Sequence, residues 1–117
     1  MSKIEKILRK QKERELELIR NLELVKKQLI KLGAIKIYLF GSLNTGMINR
    51  YSDIDLFVIM PSEKSGKKWM NKIYGSLESE VKSDIIVYNN IEFEKELPKN
   101  SFLKNIISKG KLLYERK

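Results

Sequence analysis

The sequence predicts an α/β (α+β) fold: a small mixed β-sheet of three to four strands with helices packed on it, led by a long N-terminal helix. Three observations point there. An apolar stripe of helical period runs through the first 32 residues. Three short runs rich in β-branched and aromatic residues follow: Lys36 to Phe40, Asp53 to Met60, and Asp84 to Tyr88. A second segment of helical period, residues 66–79, separates the last two runs, as a crossover between parallel strands requires.

Ile4 to Leu32 reads as a single helix. Leu18, Leu22, Val25, Leu29 and Leu32 recur at three- and four-residue spacing and form its core-facing stripe, and Gly33 is its stop. The stripe is much weaker around Lys10 to Glu15. At ~1.5 Å per residue this helix is about 45 Å long, more than a small domain is wide, so its first turns are expected to project. Lys36 to Phe40 is a strand ending at Gly41-Ser42. Asp53 to Met60 is almost continuously apolar after Asp55, as in a central strand covered on both faces, and Pro61 ends it. In 66–79, Trp69, Ile73 and Leu77 share one helical face, and Trp69 and Tyr74 are read as core rather than as stacking platforms. Ser65-Gly66-Lys67-Lys68 lacks the P-loop spacing and is read as the loop that starts this helix. The third strand begins at Lys82 or Asp84, and Asn89-Asn90 is read as a turn. A short helix runs to Leu97 before Pro98, a last helix covers Phe102 to Lys109, and Lys111 to Glu115 adds an edge strand after Gly110. Tyr88 and Tyr114 are expected to be packing residues.

Composition narrows the chemistry. The 117 residues fit one domain, 1–117, with 1–32 as the helix and 33–117 as the core it packs on. Hydrophobic residues at 42% and charged residues at 33% suit a soluble globular chain rather than a disordered one. With no cysteine, disulfides, thiolate metal sites and a cysteine nucleophile are excluded. With no histidine, the usual general base and the commonest zinc ligand are absent. Catalysis, if any, must rest on carboxylates, hydroxyls, lysines or a metal held by oxygen. There is neither a secretory leader nor a run approaching the ~20 apolar residues of a membrane span, so a cytoplasmic location is expected. The formal charge of +9 points to an anionic partner such as a nucleotide, a nucleic acid or an acidic protein face. Because the lysines are dispersed, the same charge also fits an ordinary lysine-rich surface.

The strand connections bring chemistry together. Strands one and two are joined by a short connection and can pair as an antiparallel hairpin, which sets Gly41, Ser42, Asp53 and Asp55 at one edge of the sheet. A parallel crossover from strand two to strand three then delivers Asp84 to that same edge. Asp53 and Asp55 are two residues apart on a strand, so their side chains leave the same face. Two carboxylates a few ångströms apart repel by roughly 4 kcal/mol at an effective dielectric near 20, and a third adds to this. A divalent cation is the natural neutraliser. Mg²⁺ prefers carboxylate, water and phosphate oxygens, and two such ions can clamp the attacking and leaving oxygens of a phosphoryl transfer. Glycine at position 41 lets backbone approach a phosphate closely, with the Ser42 hydroxyl and local N–H groups as donors.

At these residues the chain resembles a known family. Leu39-Phe-Gly-Ser-Leu-Asn-Thr-Gly46, followed by Tyr51-Ser-Asp-Ile-Asp-Leu-Phe-Val58, looks like the signature of the polymerase-beta-like nucleotidyltransferase superfamily. The compact length, and the closing Ile106 to Tyr114 segment, resemble its minimal nucleotidyltransferase group. The resemblance spans about residues 15–115, its specific parts being the Gly-Ser and Asp-Ile-Asp elements. It implies the nucleotidyltransferase fold, Gly41 and Ser42 on the triphosphate of ATP, and Asp53 and Asp55 on Mg²⁺, as one or two ions. Asp84 becomes the third carboxylate of the metal site, which in this family helps position or deprotonate the attacking hydroxyl. It also implies a HEPN-type protein partner, a toxin that such proteins neutralise as antitoxins by modifying or by binding it. The chain departs from the pattern in one place: many minimal nucleotidyltransferases have Arg or Lys before the second glycine, where this chain has Thr45. Arg50 lies near, and Lys36, Lys82 and Lys104 are further candidates for phosphate contact.

The leading expectation is therefore Mg²⁺-dependent transfer of a nucleoside monophosphate, AMP from ATP, to a hydroxyl acceptor on a protein partner. In-line attack asks for positioning and charge neutralisation more than for a covalent nucleophile, so a site without histidine suffices. One alternative is an antitoxin that acts by occlusion with little or no turnover. Another, weaker, is nucleic-acid binding or end-modification, which would show steep salt dependence. Sequence leaves open the oligomeric state, homomeric or with the partner.

Overall fold

The computed structural model describes residues 2–117. Helix α1, Lys3–Leu32, opens with the Ser2 hydroxyl accepting from the Glu5 N–H at 3.1 Å. It closes at Gly33, whose left-handed φ of 110° lets its N–H turn back onto the carbonyls of Leu29 and Ile30. Leu18, Leu22, Val25 and Leu29 are buried, as the stripe predicts. The same face continues toward the N-terminus through Ile7 and Ile4, yet these are 50% and 70% exposed because no strand lies beneath them. The molecule measures 54 × 30 × 24 Å, and the projecting arm of α1 supplies the long dimension.

Strands β1 (Lys36–Phe40), β2 (Ile54–Met60), β3 (Ser83–Asn89) and β4 (Lys111–Glu115) form one mixed sheet in the order β3-β2-β1-β4. The β1–β2 pair is antiparallel and β2–β3 parallel, as their connections predict, and β4 runs antiparallel to the free side of β1. One face of β2 (Ile54, Leu56, Val58, Met60) packs on α1 and on the crossover helix α3, Gly66–Ser76, through Trp69 and Ile73. The short helix α2 occupies Gly41–Thr45. On the other face, Phe57 and Ile59 pack with Tyr38, Leu103 and Ile106 beneath α4 (Asn90–Glu96) and α5 (Ser101–Lys109). Tyr88 meets Phe57 edge-on at 5.7 Å. No helix among the described residues is long and apolar enough to cross a membrane.

Three local expectations are corrected. Asn89-Asn90 is not a separate turn: Asn89 ends β3 and caps α4, accepting from the Glu92 N–H at 2.8 Å while Glu92 accepts from the Asn89 N–H at 2.8 Å. The same Glu92 carboxylate accepts from the Gly66 N–H at 2.9 Å, joining the starts of α3 and α4. Asp53 precedes β2 rather than opening it. Tyr74 is 48% exposed, not core; its hydroxyl accepts from the Ile85 N–H at 2.7 Å and so satisfies part of the outer backbone of β3.

Candidate active site

The edge of the sheet where β1 ends and β2 and β3 begin carries the predicted residues. Phe40 pairs with Asp55 across β1–β2, and Asp55 pairs with Asp84 across β2–β3. Alternation along β2 sends Ile54 and Leu56 toward α1 and leaves Asp55 on the face of Phe57. Asp84 shares that face with Ile86 and Tyr88. Gly41 begins α2 at φ +75°, a left-handed conformation, and a Cβ there would collide with Asp55 Oδ2. Glycine is therefore what lets the Asp55 carboxylate rest against the chain at the end of β1. Ser42, half-buried, is held in the short turn of α2: its carbonyl accepts from the Gly46 N–H at 2.9 Å and the Thr45 hydroxyl at 3.3 Å. The Thr45 side chain is thus turned to its own helix rather than to the edge.

The charges at this edge are unbalanced. Burial raises the Asp55 pKa above the ordinary value of 3.8, and the neighbouring Asp84 and Asp53 carboxylates raise it further, with Lys82 opposing. The two outer aspartates have cations beside them. Lys82 Nζ is 4.0 Å from Asp84 Oδ1 with both side chains well exposed, and Arg14 Nη2 is 3.7 Å from Asp53 Oδ1. Asp55, in the middle, forms no salt bridge among the described residues. Among the described residues no three His, Cys, Asp or Glu side chains close into a ready-made metal cage; the aspartates are strung along the edge instead. That arrangement suits an ion that takes one or two carboxylates and completes its shell with water and substrate phosphate, as Mg²⁺ does. The all-oxygen donors and the mutual repulsion felt at Asp55 fit such an ion.

Arg14 is the residue that sequence reading missed. Its side chain is only 20% exposed, and it reaches from α1 to the turn before Asp53. Four residues ahead of Leu18, it falls on the stripe that the buried leucines form, and an arginine at that position is the signal that could have found it. The other basic candidates lie elsewhere. Lys36 pairs with Glu115 at 3.2 Å, Arg50 stacks over the Tyr51 ring at 4.8 Å, and Lys104 is exposed on α5. Beside Gly41 a cleft of about 180 Å³ opens between α2 and α5, with Phe40, Asn44, Phe102 and Lys109 on its walls.

A family model, Polymerase beta, Nucleotidyltransferase, matches residues 23–117. The chain belongs to this nucleotidyltransferase family. The crystal structure of a candidate nucleotidyltransferase from Sulfolobus solfataricus superposes with a TM-score of 0.64, covering 92% of this chain and 88% of that one at 16% identity. At that identity the likeness speaks for the fold. No curated protein matches the chain. The span shared with the nucleotidyltransferase family holds all four strands, Gly41, Ser42 and the three aspartates, whereas Arg14 and the projecting arm precede it.

Proposed function

We propose that this nucleotidyltransferase moves a nucleoside monophosphate, AMP from ATP, onto a hydroxyl acceptor in a Mg²⁺-dependent reaction that releases pyrophosphate. The observation that carries the reading is the register that sets Asp55 beside Asp84 with Gly41 pressed against the same carboxylate. Bound at this edge, Mg²⁺ would neutralise the carboxylates and withdraw charge from the phosphate oxygens. Asp53 and Asp55 would hold the cation, and Asp84, the most exposed of the three, would face the acceptor. The acceptor oxygen forms a bond to the α-phosphorus as the bond to the β-phosphate oxygen breaks. The hydroxyl proton passes to Asp84 and on to solvent. Gly41 and Ser42 orient the triphosphate, with Gly41 leaving room for it beside Asp55. A cytoplasmic setting, where Mg-ATP is abundant, goes with this reading.

The acceptor in this proposal lies on a HEPN-type protein partner, the chain being the antitoxin of the pair. Its support is the family resemblance and the projecting basic arm, which offers a surface for such a partner. A second reading, occlusion without turnover, is favoured by one observation: Thr45 stands where a basic residue is common, and its hydroxyl is engaged within α2. Incubating the protein and partner with ATP labelled at the α-phosphate, with and without Mg²⁺, distinguishes the two. Label is expected on the partner with wild type and to fall on the order of 10²–10³-fold with Asp53→Asn. Neutralisation that survives Asp53→Asn undiminished would assign the biology to occlusion. Failure of the wild type to transfer label or to bind Mg-ATP would sink the enzymatic reading.

A further inference from the structure

We infer that Arg14 is a positioning residue that sets Asp53 at the acidic edge from the opposite side of the sheet. The inference rests on the nucleotidyl-transfer reading for what Asp53 does, and on geometry for how it is held. Asp53 sits one residue ahead of β2, so it lies outside the strand that fixes Asp55. The turn before it is built from its own short bonds. The Ser52 N–H donates to the Asn49 carbonyl at 3.0 Å, the Asn49 N–H to the Ser52 hydroxyl at 2.9 Å, and the Tyr51 N–H to Asn49 Oδ1 at 2.8 Å. These shape the turn but do not anchor it to the body of the protein.

Arg14 supplies that anchor. Its Nε and Nη2 donate to the Ser52 carbonyl at 3.1 and 2.7 Å, gripping the peptide group that joins Ser52 to Asp53. Nη1 donates to Glu17 at 2.5 Å, which holds the guanidinium plane on α1. The remaining approach, Nη2 to Asp53 Oδ1 at 3.7 Å, is too long for a hydrogen bond, so the carboxylate oxygens stay free for a cation. Two effects oppose each other here. The positive charge of Arg14 repels a divalent ion near Asp53, while its fork fixes where Asp53 points. The inference is that the fork dominates. Lysine carries the same charge as a point on a flexible stem and cannot grip a carbonyl with two donors, so Arg14→Lys separates the two effects.

The test is Mn²⁺ affinity, measured on the full chain by electron paramagnetic resonance at fixed pH, with a thermal melt to confirm folding. Arg14→Lys is expected to weaken Mn²⁺ binding about 10-fold, the low end of the loss seen when a residue supporting a metal ligand is removed. Unchanged affinity would overturn the inference, and tighter binding would overturn it by showing the guanidinium to be only a competing charge. A wild type that binds no Mn²⁺ would bring down the nucleotidyl-transfer reading together with the inference, whereas normal wild-type binding with an insensitive Arg14→Lys removes the inference alone. Should Arg14→Lys fail to fold, Glu17→Gln replaces it: loosening the guanidinium from α1 is expected to weaken Mn²⁺ binding in the same direction by a smaller factor. No change there would overturn the proposal.

Discussion

The two faces of β2 are made from alternate residues of one seven-residue strand, yet they do opposite things. Ile54, Leu56, Val58 and Met60 are all fully buried against α1 and α3 and form an unbroken apolar surface. The other face begins with Asp55, half-buried and crowded by two more carboxylates, before Phe57 and Ile59 return it to core. The first face lowers the free energy of the fold. The second holds electrostatic repulsion at one end, tolerable because the aromatic half of the same face, with α4 and α5, is well packed. The contrast shows how a chain this small can carry an only partly neutralised acidic edge: the strand that bears it is fixed from behind.

The comparison can be broken from either side. Leu56→Ala, on the closed face and fully buried, is expected to cost about 2–5 kcal/mol of stability in denaturant unfolding. It should do so without changing metal affinity in the protein that remains folded. Gly41→Ala attacks the open face. Placing a β-carbon at φ +75° is expected to cost about 1–2 kcal/mol. The larger consequence is that Asp55 must swing away from the edge, so nucleotidyl transfer should fall far more than the melting temperature. A variant as active as wild type would show that the contact between Gly41 and Asp55 is incidental.

Asp55→Asn sharpens the contrast with the smallest effect on the fold. The folded state holds the Asp55 proton more tightly than the unfolded chain does, because burial and the Asp84 and Asp53 carboxylates raise its pKa. The associated stability is fully present below the ordinary value of 3.8 and is lost as pH rises through the raised value. Metal-free wild type is therefore expected to lose a little stability across that window, and Asp55→Asn to melt slightly higher than wild type at neutral pH. Solvent screening keeps the effect small. A lower melting temperature for Asp55→Asn in the absence of metal would mean that the carboxylate is a net structural asset.

Much of this was legible in the residues because it depends on spacing. The stripe from Leu18 to Leu29 and the apolar run after Asp55 depend on local period. The meeting of Asp55 with Asp84 follows from one short hairpin and one crossover. What escaped depends on tertiary neighbours. Tyr74 has the spacing of a core residue, but only the outer position of β3 explains why its phenol bonds to backbone. Arg14 shares the stripe of Leu18, but what its guanidinium grips emerges only when the turn at Ser52 is placed beneath it. Asn89 is different: its Asn-x-x-Glu spacing to Glu92 is itself the signal of a capping box, and it outweighs the turn tendency of the adjacent Asn-Asn pair.

The Glu92 carboxylate, at the far end of β3 from Asp84, has a bearing on that acidic edge. Sliding β3 by one residue along β2 would turn Asp84 to the opposite side of the sheet, since side chains alternate. The same slide, carrying the capped start of α4 with it, would tear Glu92 from the Gly66 N–H on α3. The junction thus behaves as a stop on a ruler, fixing the zero mark from which the alignment of Asp84 with Asp55 is measured.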